Sequence, residues 1–237
     1  MIFYSHTNPA KTLKNHLTDT ARKAREKILQ IPLKEHKEII AQIAYLVCIS
    51  HDFGKYTSYF QEHLLERKKW GIKSHHSFIS SIFTAWLIDE FLQSIEKDPL
   101  LNYLPLIAYF TVLHHHGDLR SVEADVPSLK VLNGYPQFKY AEGSLREKLL
   151  TTIEQINNMK ETNRKQSIQR EYEAMGQVVK VNINIEKFFN SWIEVLKKLT
   201  RIKYNLLNNE SEEVTIKVSL LTLLLYSALI DSDKRDA

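Results

Sequence analysis

The sequence contains little cysteine, glycine or proline, and each shortage excludes a class of protein. Among 237 residues there are one cysteine, six glycines and six prolines. A single cysteine excludes an internal disulfide and fits a reducing, cytoplasmic setting. Few glycines and prolines disfavour a turn-rich β architecture and favour long helices. The N-terminal residues also lack the basic-then-apolar pattern of a signal peptide.

Long hydrophobic runs and several catalytic motifs are missing as well. The longest apolar stretch, Val218 to Ile230, is shorter than the ~20 residues that span a bilayer, so we expect no membrane association. No GxxxxGK[ST] phosphate loop is present, which argues against a motor or kinase. CxxC, HExxH and GxSxG patterns are equally absent. The net charge of +4 only mildly favours a polyanionic partner.

What the sequence does contain is a series of helical patterns. Residues 118–144 hold two prolines and two glycines without periodicity, and we expect a long loop over the site there. No repeat, low-complexity segment or linker is evident. The predicted fold is therefore all-α, with residues 1–237 forming one domain. The spacing predicts helices from Asn8-Pro9 to residue 30, over 34–52, 55–69, from 74 onward, and over 99–116, 145–176, 184–206 and 214–234.

The ten histidines are not evenly spread. His51 stands beside Asp52, His75 and His76 are adjacent, and residues 114–116 form a triplet. Each group begins or ends a strongly apolar helix, where a side chain leaves the core yet stays fixed. Imidazole and carboxylate bind borderline transition metals, so this clustering predicts a metal site.

The His51-Asp52 pair indicates hydrolytic chemistry. The two oxygens of one carboxylate can bridge two cations, and two cations about 3.5–4 Å apart can clamp the attacking and leaving oxygens of a phosphodiester. Lys55 follows Asp52 by about one helical turn, where it can meet a phosphate or neutralise developing charge. We therefore expect metal-dependent hydrolysis with Asp52 and Lys55 as catalytic residues.

Other interpretations exist for each histidine or aspartate taken alone. His16 lies on the apolar stripe of the first helix, where a hydrogen-bonded core histidine is common. The triplet at 114–116 can be incidental, and Asp231 and Asp233 can be a polar tail after the last helix. Their joint occurrence at the ends of apolar helices favours the metal site.

These motifs resemble the HD superfamily, and more specifically the stand-alone HD nuclease of type I CRISPR interference systems. The resemblance spans nearly the whole chain and implies a helical bundle of the HD type. Asp52 would bridge two ions, and Lys55 would assist at the scissile phosphate. The matching segments are FYSHTNP, LKNHLTDTA, SHDFGKYTSYFQEHL, HHSFISS, LHHHGDL and LYSALIDSDKRDA. The implied ligands are His16, His51, Asp52, His76, His115, His116 and Asp233.

Three of these assignments have competitors. His76 fits the family's His-x-x-x-Ser pattern through Ser80, whereas His75 lies better on the apolar stripe of the following helix. The His-His-Gly pair takes His115 and His116 and leaves His114 as a spare. Asp233 matches the family's Ala-Asp position with serine in place of alanine, and Asp231 is close enough to compete. Residues two apart on a helix point to nearly opposite sides, so only one of these aspartates should bind.

The resemblance implies metal-dependent cleavage of single-stranded DNA, endo- or exonucleolytic, in CRISPR antiviral defence. It also implies two partners, a separate CRISPR helicase subunit and a target-binding complex. Two divalent ions are expected, and the histidine-rich set favours Mn, Ni, Co or Fe over Mg alone. One alternative is an HD phosphohydrolase acting on nucleotides or cyclic dinucleotides. A non-catalytic adaptor is a further alternative, although such a module is expected to lose ligands and here every candidate position is filled.

Overall fold

The computed structural model describes residues 1–95, 98–119, 125–134 and 138–236. The chain is mostly helical, which confirms the predicted all-α class, although one two-stranded hairpin is present in the described part. Short 3-10 turns occur at Phe53–Tyr56, Gly71–Ser74, Leu100–Tyr103 and Gln177–Val179. The α-helices are α1 Leu13–Gln30, α2 Lys37–Ser50, α3 Ser58–Glu66, α4 Ser77–Leu92, α5 Leu104–Leu113, α6 Leu129–Asn133, α7 Gly143–Met159, α8 Thr162–Gly176, α9 Ile185–Asn208 and α10 Glu212–Lys234.

The N-terminus forms the hairpin, with β1 at Tyr4–Thr7 antiparallel to β2 at Ala10–Thr12. Asn8-Pro9, predicted to open the first helix, lies in the turn between the strands, so that prediction is wrong. The helix begins at Leu13 because the Thr12 side chain accepts a hydrogen bond from the backbone N–H of Asn15. Residues 8–12, which the sequence spacing assigned to the first helix, therefore belong to the hairpin.

Helices α1, α2, α4, α5 and α10 form the part of the core that positions the site. α1 packs on α2, α4 packs on α5, and α10 packs against both α1 and α5. α2, α4 and α5 are apolar on nearly all sides, which requires burial from every direction. Their ends converge, so the residues flanking them meet inside the protein.

The predicted helix over 145–176 is two helices, α7 and α8, with a break at residues 160–161. The apolar stripe of α7 passes through Ile156 and Met159, and its continuation would fall near Asn163 and Gln166, which are exposed. The buried stripe of α8 instead passes through Ile168, one position later. One straight helix cannot bury both stripes. The break lets each helix turn its own apolar stripe toward the core.

The predicted loop over 118–144 contains a short helix, α6, and the beginning of α7. Ser128 accepts a hydrogen bond from the Val131 N–H at the start of α6, which buries Val131 and Leu132. The prediction of one uninterrupted loop is therefore wrong for residues 129–133 and 143–144. Residues 120–124 and 135–137 lie outside the described residues, and so does the loop prediction for them.

Within the described residues, one helix is long and apolar enough to cross a membrane, judged by length and composition alone. It is α10, with 23 residues, a mean hydropathy of 1.7 and 22% of its most apolar window buried. Buried core helices pass the same test, so this is weak evidence. The cytoplasmic location stays a prediction.

Candidate metal centre

Asp52 lies at the centre of the site, directly after α2, and only 1% of its side chain is exposed. Its two carboxylate oxygens face different histidines. Oδ1 lies 3.0 Å from His76 Nε2 and 3.6 Å from His115 Nε2. Oδ2 lies 3.4 Å from His16 Nε2 and 3.4 Å from His51 Nε2. One carboxylate therefore stands between two sets of imidazoles.

The first set, here called the inner group, consists of His16, His51, Asp52 and Asp233. Asp233 Oδ1 lies 3.2 Å from His16 Nε2 and 3.5 Å from His51 Nε2. His16 comes from α1, His51 from the end of α2 and Asp233 from the last turn of α10. Both histidines are buried. The ligand atoms of His16, His51 and Asp52 lie within 4.8 Å of one another, so the group could hold a metal ion.

The second set, the outer group, consists of Asp52, His76, His115 and His116, whose ligand atoms also lie within 4.8 Å of one another. His76 Nε2 and His116 Nε2 are 2.8 Å apart. His115 is buried, His76 is partly exposed and His116 is exposed. The outer group could also hold a metal ion, and it reaches the protein surface.

The backbone fixes which nitrogen two of the buried histidines present. His51 Nδ1 lies 2.7 Å from the carbonyl of Cys48, and His115 Nδ1 lies 2.6 Å from the carbonyl of Val112. A carbonyl only accepts, so each Nδ1 donates and each Nε2 faces the Asp52 carboxylate. Such a second hydrogen bond is the usual way in which a metal-binding histidine is oriented.

The buried polar atoms of the site suit a cation. The Nε2 atoms of His16, His51 and His115 and both oxygens of Asp52 are buried without a well-aligned hydrogen-bond partner among the described residues. Proteins rarely leave so many buried polar atoms unsatisfied in one place. Imidazole and carboxylate together are ligands for a divalent transition ion. The side chains of both groups are therefore of the kind that could hold a divalent metal ion, as the sequence predicts.

The groups around Asp52 keep it ionised although it is buried. Burial acts to raise its pKa, but His51, Lys55 and His76 outweigh burial and hold the pKa well below its usual range. Lys55 Nζ lies 2.6 Å from Asp52 Oδ2, so the predicted catalytic lysine is at the site.

The histidines of the two groups differ in their affinity for protons. Burial acts to lower the pKa of His16, but its contacts with Asp233 and Asp52 raise the pKa to about 9. In the outer group burial lowers the pKa of His76 to about 4. Partial desolvation, together with the neighbouring His115 and His76, lowers the pKa of His116 to about 3. At neutral pH the metal-free inner group therefore carries a proton on His16, whereas His76 and His116 are neutral.

Gly54 allows the turn after Asp52 to pack against the start of α4. A Cβ at this position would lie 2.7 Å from His76 Cβ and 2.7 Å from Ile79 Cγ2. The Gly54 N–H donates to Ser80 Oγ at 2.9 Å. This contact explains the glycine of HDFGK and the serine of the His-x-x-x-Ser pattern, because together they bring Asp52 next to His76.

The structure brings all the predicted site residues together and separates the competitors. His75 is exposed and outside both groups, unlike His76. Asp231 pairs with Lys27 and Arg235, each at 3.0 Å, on the other side of α10 from Asp233. His114 binds the Asp125 carboxylate at 2.8 Å. The residues brought together are His16, His51, Asp52, Lys55, His76, His115, His116 and Asp233.

Sequence reasoning missed Asp236. Its Oδ2 lies 2.8 Å from His16 Nδ1 and 2.7 Å from Lys11 Nζ, and its Oδ1 lies 2.8 Å from Lys23 Nζ. It thus orients His16 as the backbone carbonyls orient His51 and His115. The signal was its position three residues after Asp233, which places both on one face of a helical turn.

Comparison of the chain with protein-family models, with curated proteins and with solved structures finds no match. The likeness to the HD superfamily therefore depends on the sequence motifs, and the family and its activity enter below as a proposal.

Proposed function

We propose that this chain is a metal-dependent nuclease of the HD type that hydrolyses phosphodiester bonds of single-stranded DNA. The observation that carries the proposal is the shared carboxylate of Asp52, whose two oxygens face separate histidine groups. This arrangement suits two cations on either side of one bridging ligand. The motif likeness adds the setting, CRISPR antiviral defence in the cytoplasm, with a separate helicase subunit and a target-binding complex as partners.

Each group supplies an imidazole-rich set of ligands, which favours Mn, Ni, Co or Fe over Mg alone. When bound, two such cations polarise a phosphoryl oxygen and lower the pKa of water. The inner ion would be held by His16, His51, Asp52 and Asp233, and the outer ion by Asp52, His76, His115 and His116.

The protein residues contribute charge placement and orientation. Asp52 stays ionised in the core and supplies the negative charge that both groups share. Lys55, with 13% of its side chain exposed, lies between this carboxylate and solvent, where its ammonium can neutralise charge developing on a phosphate. His76 and His116 carry no imidazolium charge at pH 7, so a cation can bind them without displacing a proton from a charged ring.

A second candidate is a phosphohydrolase acting on nucleotides or cyclic dinucleotides. One observation favours it: a cavity of about 640 Å³ borders His76 and His116. That volume lies within the range of small-molecule sites. Release of phosphate or nucleoside from a mononucleotide panel, without cleavage of a polymer, would support this candidate.

The test is cleavage of labelled single-stranded DNA by metal-stripped protein resupplied with Mn²⁺. Asp52→Ala is the inactive variant, and Asp231→Asn is its control because Asp231 lies on α10 outside both groups. We expect wild type and Asp231→Asn to cut and Asp52→Ala to leave the DNA intact. Equal cutting by Asp52→Ala contradicts the proposal. No cutting by any of the three also contradicts it and turns attention to the nucleotide panel.

A further inference from the structure

The cavity beside the outer group is lined by aromatic side chains as well as by histidines. It lies between α3 and the Gly71–Ser74 turn, and His76 and His116 form one side of it. Phe60 and Trp70 also line it. A molecule in this cavity would therefore touch two aromatic rings and the ligands of the outer group at once.

The two rings are held in place and partly open to solvent. The Trp70 Nε1–H donates to Glu62 Oε2 at 3.2 Å, and Tyr59 packs edge-on against Trp70 with ring centroids 5.1 Å apart. Phe60 packs edge-on against His76 at 5.4 Å. Both rings are of intermediate exposure, whereas the other two tryptophans of the chain are buried. Fixed aromatic faces of this kind bind flat ligands without first having to be ordered.

The cavity is lined by basic groups and, among its described lining residues, by no carboxylate. Lys69 is exposed and forms no ion pair in the described part of the chain. Its neighbours differ: Lys68 pairs with Glu62 and Glu66, and Lys73 pairs with Glu154. Lys69 thus presents an unneutralised cation at the rim, suited to a phosphate.

We propose that this cavity binds one unpaired base of the substrate strand, stacked on Trp70 and Phe60, with Lys69 at its phosphate. The inference rests on the proposed nuclease function and names how the site takes up its substrate. An aromatic platform beside basic groups binds bases irrespective of sequence, because every base has a π-face. A base in a duplex is stacked and paired, so the cavity selects a single strand.

The cleavage test uses the Mn²⁺-loaded protein and two oligonucleotides of equal length, oligo(dT) and a strand of abasic sites. Trp70→Ala should lower kcat/KM for oligo(dT) about tenfold, mainly through KM, and leave the abasic strand unaffected. Trp70→Phe keeps a ring and should retain most of the activity. Tyr204→Ala is the control, because Tyr204 is an exposed aromatic residue outside the cavity. An equal effect of Trp70→Ala on both strands, or no effect on either, overturns the proposal.

A second test does not depend on cleavage. Metal-free protein is titrated with each strand while tryptophan fluorescence is recorded, and Trp70 is the tryptophan that solvent reaches. Oligo(dT) should quench emission in wild type and not in Trp70→Phe, and the abasic strand should not quench. If wild type cleaves neither strand, the nuclease proposal fails. Quenching by oligo(dT) alone then still supports base binding in the cavity, and its absence overturns it.

Discussion

The inner and outer groups share one carboxylate and differ in almost everything else. The inner group lies in the core, is closed by Asp233 and has its His16 ring fixed by Asp236. The outer group includes the exposed His116 and borders a cavity. If the proposed ions bind, we expect the inner group to exchange its ion slowly and the outer group to exchange its ion readily with solvent.

The two groups also differ in the protonation of their histidines. In the metal-free protein at pH 7, His16 carries a proton because Asp233 and Asp52 overcome the effect of burial on its pKa. His76 and His116 carry none, because the pKa of each lies well below 7. An ion must therefore displace a proton from the inner group and need not displace one from these outer histidines.

The largest effect is expected from Asp52→Asn, since both groups depend on this side chain. We expect metal content to fall from two ions to none and DNA cleavage to drop on the order of 10⁴-fold, as when a hydrolase loses an essential carboxylate. Elemental analysis and cleavage rates measure the two effects. Asp231→Asn should behave as wild type. A variant that kept one tightly bound ion would show that the groups are independent of Asp52.

Two further substitutions should separate the groups. Asp233→Asn should weaken the inner ion and His116→Gln the outer ion, each by at least the roughly 10–100-fold that loss of an outer-shell partner brings. Calorimetric titration of each variant with Mn²⁺ would show which binding step is lost. Loss of the same step in both variants would contradict the division into two groups.

The pH dependence of metal binding should differ between the groups. Below the pKa of His16, about 9, the inner ion competes with a proton, so its apparent affinity should rise about tenfold per pH unit from pH 7 toward pH 9 and then level off. The outer ion should show little change over this range, since His76 and His116 lose their protons below pH 5. Titration in buffers of different ionisation enthalpy counts the released proton. Equal slopes for both ions would refute the distinction.

Asp236→Asn tests whether orientation of His16 matters to the inner group. We expect about a tenfold loss of inner-ion affinity, since the substituted amide holds the imidazole more weakly, with the outer ion unchanged. Asp19→Asn is a matched control, because Asp19 also pairs with Lys11, at 3.0 Å, and has no recorded contact with His16. A similar loss in both variants would assign the effect to Lys11 instead.

Gly54→Ala should act on the stability of the fold beside the outer group rather than on metal binding directly. The new methyl group would press on His76 and Ile79, at an expected cost of about 1–3 kcal/mol in the free energy of unfolding. Denaturant titration measures it. Gly117→Ala is the control, since a Cβ there meets no atom within 4 Å. Equal stability of the two variants would show that α4 yields easily at this contact.

The sequence predicted which histidines and aspartates lie close together better than it predicted the helices around them. His51 and Asp52 were identifiable because metal chemistry restricts residue types and because an apolar helix ends beside them, whereas the choice of His76 over His75 came from the resemblance to the HD superfamily. The choice of Asp233 over Asp231 needed the rotational position of α10, which neighbouring helices determine. The hairpin at Asn8-Pro9 and the break at residues 160–161 depend on pairing and packing with distant segments, which local patterns do not contain.

His16 and Asp236 touch although 220 residues separate them in the sequence. On the ribosome, α1 emerges first and must wait for α10 before this contact and the one with Asp233 can form. A nascent chain therefore has His51 and Asp52 in place without the carboxylate that completes the inner group. An ion that binds the finished inner group stabilises only the folded protein, so its retention would mark the end of folding. The order of synthesis thus delays assembly of the inner group until α10 has been made.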